Sequence, residues 1–338
     1  MRNFHFKNIV HKKKKICIIF TGGTISMIKD KETGVLVPAS NLEDLIQSEP
    51  ELQDIARLDF VNLFNLDSSD LNFSHYDTVS NKIIELYNEF DGFVIATGTD
   101  TMAYFGTGLS FLLKNLMKPV VLTGSQFPLS GGMRSDGRIN LFNSILFAKL
   151  DFHEVGICFG GRLLRANRST KMDAFRLDAF DSPNFQDLGF ISNDLYLNQD
   201  CIKNSGKTKK IGKLINNVVF LKISPDMHPD FISSIPDDIK GVVIEGFGSS
   251  GNIPQKLLDA IKNKSAKGVI FALKSQCIKG KIDLGAYEGS AKAKEIGAWS
   301  CKDMTSEAAL LKLTWILNQN VKNKQNLFES SLIGELSE

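Results

Sequence analysis

Lys15-Ile16-Cys17-Ile18-Ile19-Phe20-Thr21-Gly22-Gly23-Thr24 is a continuous apolar run that stops abruptly in threonines and glycines. An apolar run without polar alternation suits a strand covered on both faces, and such strands belong to parallel sheets whose crossovers lay helices on either side. Runs of the same kind recur at 92–97, 119–124, 155–160, 218–223, 241–244 and 268–273. Between them, 74–90 places Val79, Ile83, Tyr87 and Phe90 on one helical face, with Ser74 and Asp77 spaced as a capping box. The stretches 102–116 and 136–150 read as further helices. This alternation predicts an α/β fold with a mostly parallel sheet and right-handed crossovers.

A chain of 338 residues exceeds the roughly 100–200 of a usual single domain, so two domains are expected. The pattern breaks into Lys, Asn, Gly and Ser at 198–217, which divides the chain into a larger N-terminal catalytic α/β domain, 1–204, a linker, 205–216, and a smaller C-terminal α/β domain, 217–338. After Asn323 the chain is polar except for Leu327, Phe328, Leu332 and Ile333, the pattern of a short docking tail.

Forty basic against 38 acidic side chains leave a formal charge of +2, which implies no nucleic-acid or other polyanionic partner. Lys12–Lys15 reads as the solvated flank of a buried strand, because the apolar run behind it falls short of the ~7–15 residues of a signal-peptide core. No apolar stretch approaches the ~20 residues needed to span a bilayer. The cysteines, at 17, 158, 201, 277 and 301, are odd in number and widely spaced, so buried reduced thiols are expected, without a disulfide framework or a zinc site. These features predict a soluble cytoplasmic protein with no membrane partner, metal or cofactor.

Three first-half strands end in polar, glycine-rich turns: Thr21-Gly22-Gly23-Thr24, Thr97-Gly98-Thr99-Asp100-Thr101 and Gly124-Ser125-Gln126. In a parallel sheet these ends share the edge where ligands of open α/β sheets bind. Any one of the loops alone is an ordinary strand-to-helix turn. Several hydroxyl-bearing turns at one edge make a site.

Thr21-Gly22-Gly23-Thr24-Ile25-Ser26 and Gly98-Thr99-Asp100-Thr101 together resemble the two signature motifs of the bacterial-type L-asparaginase family. Further likeness follows in the same order: Asp67-Ser68-Ser69-Asp70, Pro119–Gln126, Arg134-Ser135-Asp136-Gly137, Asn167–Lys171, then Gln276-Cys277 and Gly285-Ala286-Tyr287. The resemblance runs from about residue 15 to about 320 and is strongest to the cytoplasmic type I branch. It implies a two-domain fold, a homodimer or homotetramer, and hydrolysis of the side-chain amide of L-asparagine through a threonine nucleophile and an acyl-enzyme, with weaker action on glutamine.

Amide hydrolysis requires a nucleophile, a way to take its proton, and donors for the developing oxyanion. The histidines, at 5, 11, 75, 153 and 228, lie outside these loops, so a Ser-His-Asp arrangement has no support and another base is needed. A desolvated lysine can serve. Alone, Lys171 would read as a surface lysine, and Asp67–Asp70 as a helix-entry turn. By the resemblance, Thr21 attacks, while Thr99 with Lys171 and Asp100 behind it handles protons and orients the second-step water. Asp100 also takes the substrate ammonium, and Ser68 with the backbone donors of Asp67-Ser68-Ser69 takes its carboxylate.

The chain departs from the family pattern in three places. The loop after the first motif has Val35 or Leu36 where relatives carry a tyrosine, and Tyr287 is the substitute expected to support the nucleophile. Thr97 stands where a histidine commonly precedes the second motif. Glu245 stands where an arginine serves a second, activating asparagine site in some type I enzymes, which puts such control in question. Gly246-Phe247-Gly248-Ser249-Ser250-Gly251 satisfies a dinucleotide fingerprint literally, but no carboxylate follows at about 20 residues to hold a ribose. A dehydrogenase is therefore the weakest alternative. A stronger one is the asparaginase-like subunit of a transfer-RNA-dependent amidotransferase, although that chain carries an extra N-terminal domain and only twenty residues precede Thr21 here.

Overall fold

A computed structural model describes residues 1–5, 9, 13–30, 32–38, 50–285 and 287–338. His11, Lys12 and Ala286 lie outside the described residues. The chain divides into two compact units, Met1–Ile211 and Gly212–Glu338. That division falls inside the stretch read as a linker, and Lys209–Lys210, within the same stretch, pairs as a short strand with Leu113–Lys114 of the first unit.

The first unit is built on a nine-stranded sheet. Its order runs Arg57–Leu66, Lys15–Gly22, Gly92–Ala96, Val120–Thr123, Val155–Phe159, Arg162–Arg165, Gly189–Ile191, Leu195–Leu197 and Arg2–Phe4. The first five strands are parallel, as the buried apolar runs predict for the four after Arg57–Leu66. The other pairings are antiparallel, so the sheet is mixed. The change of direction has a local cause: Val155–Phe159 and Arg162–Arg165 are joined by Gly160-Gly161, both at positive φ (57° and 79°), the geometry of a two-residue type I′ hairpin.

The strand Arg57–Leu66 breaks the expected pattern, because Asp59, Asn62 and Asn65 interrupt its apolar residues. It is an edge strand, half exposed along its length, and pairs with Lys15–Gly22 from Lys15↔Arg57 to Gly22↔Leu66. Ile16, Ile18 and Phe20 enter one core with Leu141, Ile145 and Leu146 of the helix Asp136–Ala148. Helix Phe73–Leu86 is capped by Asn72 and His75, not by Ser74 and Asp77: the Asn72 side chain accepts from Ser74 N, and the His75 ring accepts from Asn72 N. Helix Met102–Leu112 ends earlier than its apolar pattern, since Leu113–Lys114 turns into the short strand above.

The second unit has a four-stranded parallel sheet, Val218–Lys222, Gly241–Gly246, Ile270–Ser275 and Trp299–Ser300, in chain order. Helix Gln255–Ala266 contributes Leu257, Leu258 and Ile261 to one core, and helix Ser306–Leu317 contributes Leu313 and Ile316 to another. The C-terminal tail docks there through Phe328 and Leu336, and Glu335 meets Lys312 in an ion pair with no exposed side-chain surface. Glu245 is buried too, accepting from Ser306 Oγ at 2.6 Å, with Lys274 Nζ at 3.5 Å.

No helix among the described residues is long and apolar enough to cross a membrane. All five thiols are unpaired, and burial pushes Cys17, Cys158 and Cys201 up to about 12 and raises Cys301 further. Cys277 is exposed. A thiolate is the reactive form, so native protein at pH 8 should expose one fast-reacting thiol per chain to Ellman's reagent, lost in Cys277→Ser, with the other four reacting only on unfolding.

Candidate functional site

The candidate site assembles at the carboxyl ends of the central parallel strands. At the end of Lys15–Gly22 the strand pairing shifts register between Phe20 and Gly22, and Gly23 N donates to Leu66 O at 3.1 Å. This carries the loop beginning at Asp67 alongside the first threonine turn. Gly23 has φ 85°, and a Cβ there would lie 2.3 Å from Gly98 N and 2.4 Å from Gly98 Cα. A Cβ on Gly98 would lie 2.6 Å from Ser68 Oγ, and one on Gly124 would lie 2.5 Å from Thr97 O and 3.2 Å from Thr99 Cγ2. The turns expected to gather at one edge therefore touch closely, joined by the Asp67 loop, and glycines make the approach sterically open.

Thr21 is 1% exposed, and its Oγ1 donates to Ala96 O on the neighbouring strand at 3.2 Å. Thr99 is 9% exposed, and Thr101 Oγ1 donates to Ser68 O at 2.7 Å. Lys171 Nζ donates to Thr99 Oγ1 at 2.9 Å and to Asp100 Oδ1 at 2.5 Å. The Asp100 side chain is 69% exposed, so its carboxylate is open to solvent beside the site.

Lys171 owes its position to a buried turn. Asn167, Arg168 and Ser169 are all buried; Ser169 Oγ donates to Arg165 O at 2.6 Å, and Arg168 donates to Asn184 O at 2.6 Å. Helix Met102–Leu112, which follows Thr99 and Asp100 closely, lies against this turn: Thr107 Oγ1 donates to Ala166 O, and a Cβ on Gly106 would come 2.8 Å from Ala166 Cβ. The helix and turn together fix the spacing between amine and carboxylate.

Asp67 Oδ1 accepts from both Ser69 N and Ser69 Oγ, and the backbone bond first, then the hydroxyl, hold its carboxyl below the usual range. These are the bonds of a helix-entry turn. Ser68 is 4% exposed. Thr97 Oγ1 and Ser125 Oγ are buried without a hydrogen-bond partner among the described residues. Val35 is exposed in the turn between the paired segments Met27–Lys29 and Leu36–Pro38. Tyr287 belongs to the second unit, is 58% exposed, and precedes helix Glu288–Glu295, its carbonyl accepting from Ser290 Oγ at 2.9 Å.

The glycine-rich stretch Gly246–Gly251 closes on itself. Phe247 N donates to Asn252 O and Asn252 N donates to Phe247 O, and a Cβ on Gly246 would lie 2.3 Å from Gly251 O. The stretch holds one short 3-10 turn, Gly248–Ser250, and the next α-helix begins only at Gln255, after Pro254, so the loop does not offer its amides at the start of an α-helix as a dinucleotide phosphate requires.

Residues 15–203 match the family model described as Asparaginase, N-terminal, and residues 217–328 match the Glutaminase/Asparaginase C-terminal domain. The chain belongs to the asparaginase family. It is 33% identical over 343 residues to L-asparaginase 1 of Escherichia coli strain K12, covering 96% of this chain and 99% of that one. It is 33% identical over 351 residues to a glutamyl-tRNA(Gln) amidotransferase chain of Pyrococcus abyssi, covering 98% of this chain and 80% of that one. The structure of L-asparaginase I from Vibrio cholerae superposes with a TM-score of 0.88 at 34% identity, covering 96% of this chain and 99% of that one. This asparaginase fold carries Thr21, Thr99, Asp100 and Lys171 in its larger unit.

Gly23→Ala should lower both stability, by about 1–3 kcal/mol, and turnover, because the new methyl drives the first turn away from Gly98. Thermal unfolding and ammonia release, measured on one preparation, should fall together, whereas Gly268→Ala, whose Cβ meets nothing within 4 Å, should lower stability without lowering turnover.

Proposed function

We propose that the chain hydrolyses the side-chain amide of L-asparagine to L-aspartate and ammonia. The observation that carries this reading is the contact of Lys171 with both Thr99 and Asp100, at an edge whose neighbouring turn bears Thr21. Thr21 Oγ attacks the amide carbon. Its proton passes to the Thr99–Lys171–Asp100 group and from there to the departing nitrogen, which leaves as ammonia. The resulting aspartyl ester is opened by a water that loses its proton to the same group, returning Thr21 to its hydroxyl form. Lys171 stands between a hydroxyl and a carboxylate, so a proton accepted on one side can be handed on without entering bulk solvent.

Backbone N–H groups beside Thr99, ahead of helix Met102–Leu112, face the oxyanion; one such donor is worth ~3 kcal/mol in other hydrolases. The second oxygen of Asp100 takes the substrate ammonium, with the ionised Asp67 as a further negative charge. Ser69 already gives its N–H and hydroxyl to Asp67, which leaves the Ser68 hydroxyl for the substrate carboxylate.

Glutamine is one methylene longer, and a pocket of this kind discriminates it by ~10–200-fold. The enzyme is cytoplasmic and works as a homodimer or homotetramer; the exposed apolar side chains of Met133, Phe175 and Leu177 supply the kind of surface that association covers. A second reading, a chain that passes the released ammonia to a partner, is supported by the likeness to the Pyrococcus abyssi amidotransferase. Copurification with a larger partner would favour it.

Thr21→Ala and Lys171→Met should each fold with an unchanged circular-dichroism spectrum and lose ~10³-fold or more of the ammonia release from asparagine. Undiminished turnover in Thr21→Ala would remove that residue from the mechanism.

A further inference from the structure

The third polar turn, Gly124-Ser125-Gln126, carries no role in the reaction just described, yet it is thoroughly anchored from behind. Asp136, the first residue of helix Asp136–Ala148, is 6% exposed. Its Oδ2 accepts from Gln126 N at 3.0 Å, and its Oδ1 accepts from Phe127 N at 2.8 Å. One turn along the same helix, Asn140 has no exposed surface. Its Nδ2 donates to Gly124 O at 3.0 Å and to Asp136 Oδ2 at 3.2 Å, and its Oδ1 accepts from Gly160 N at 3.1 Å.

These two side chains therefore grip the peptide groups on both sides of Ser125. Gly124 in turn lies against Thr97 O and the Thr99 methyl. A carboxylate accepting two backbone N–H bonds away from solvent is a stiff tether, because each bond is charge-assisted and water has little access to replace it.

We propose that Asp136 and Asn140 are positioning residues for the reaction: through the Gly124–Gln126 turn they set the wall against which Thr99, and with it Lys171, is placed. The inference rests on the asparaginase reading above. Asparagine in place of Asp136 keeps the shape but turns an N–H₂ toward one of the two N–H donors. Alanine in place of Asn140 frees the Gly124 carbonyl.

The test compares kcat and KM for asparagine in the wild type, Asp136→Asn, Asn140→Ala and Ile145→Val, the last a core change in the same helix and remote from the turn. The two positioning variants should lose ~10–100-fold in kcat, the cost of a misplacement of about 1 Å, with KM nearly unchanged. Ile145→Val should lower the melting temperature while keeping kcat. Hydrogen exchange on the wild type gives a second reading that needs no variant to fold: the amides of Gln126 and Phe127 should be protected like those of the central strands. Wild-type kcat in folded Asp136→Asn or Asn140→Ala, an equal loss in Ile145→Val, or loop-like exchange at Gln126 and Phe127 would each overturn the inference. A wild type that releases no ammonia from asparagine would instead overturn the parent reading.

Discussion

The approach of Gly23 to Gly98 is the constraint on which the site depends. Two loops more than seventy positions apart in sequence meet at a distance that excludes a single Cβ, and each bears one of the threonines proposed to act in the reaction. The strands beneath set the approach. Lys15–Gly22 and Gly92–Ala96 pair directly, with Phe20 opposite Ala96, so the residues that follow each strand emerge side by side. Buried hydrophobic strands supply the rigidity, and the glycines supply the clearance.

Charge is distributed around that contact with a clear division of labour. The amine in direct contact with both Thr99 and Asp100 comes from a segment whose preceding residues are buried, while the carboxylate it meets is open to solvent. A lysine held from behind can keep its nitrogen in place as its hydrogen-bond partners exchange protons. An exposed carboxylate can bind a substrate ammonium without the desolvation cost of a buried one. The helix Met102–Leu112 joins both requirements, since it starts just after Asp100 and packs on the turn that leads to Lys171.

Much of this is legible in the residues. Uninterrupted apolar runs identify the strands, because a strand covered on both faces has no polar alternation to confuse it with a surface element. The edge strand Arg57–Leu66 escapes for the converse reason: its half-exposed length admits Asp59, Asn62 and Asn65, and parallel pairing to Lys15–Gly22 overrides its weak pattern. Asn72 is hard to read as a cap because a histidine three positions on, rather than Glu or Gln, completes the box. The antiparallel half of the sheet is signalled only by Gly160-Gly161, which in sequence looks like a strand end and in the structure is a hairpin turn with both φ values positive. Asp136 and Asn140 are visible as an acidic residue opening a helix and an amide four positions later, a pattern shared by many ordinary helix starts; their grip on the third turn is a tertiary fact.

The most direct test of the account is to quench the enzyme with acid within milliseconds of mixing with asparagine and locate the acyl group by peptide mass spectrometry. The mechanism places one aspartyl group on the peptide containing Thr21, and none on that peptide when Thr21 is replaced by alanine. An aspartyl group on Thr99, or on a residue outside these turns, would contradict the assignment of nucleophile and proton carrier alike.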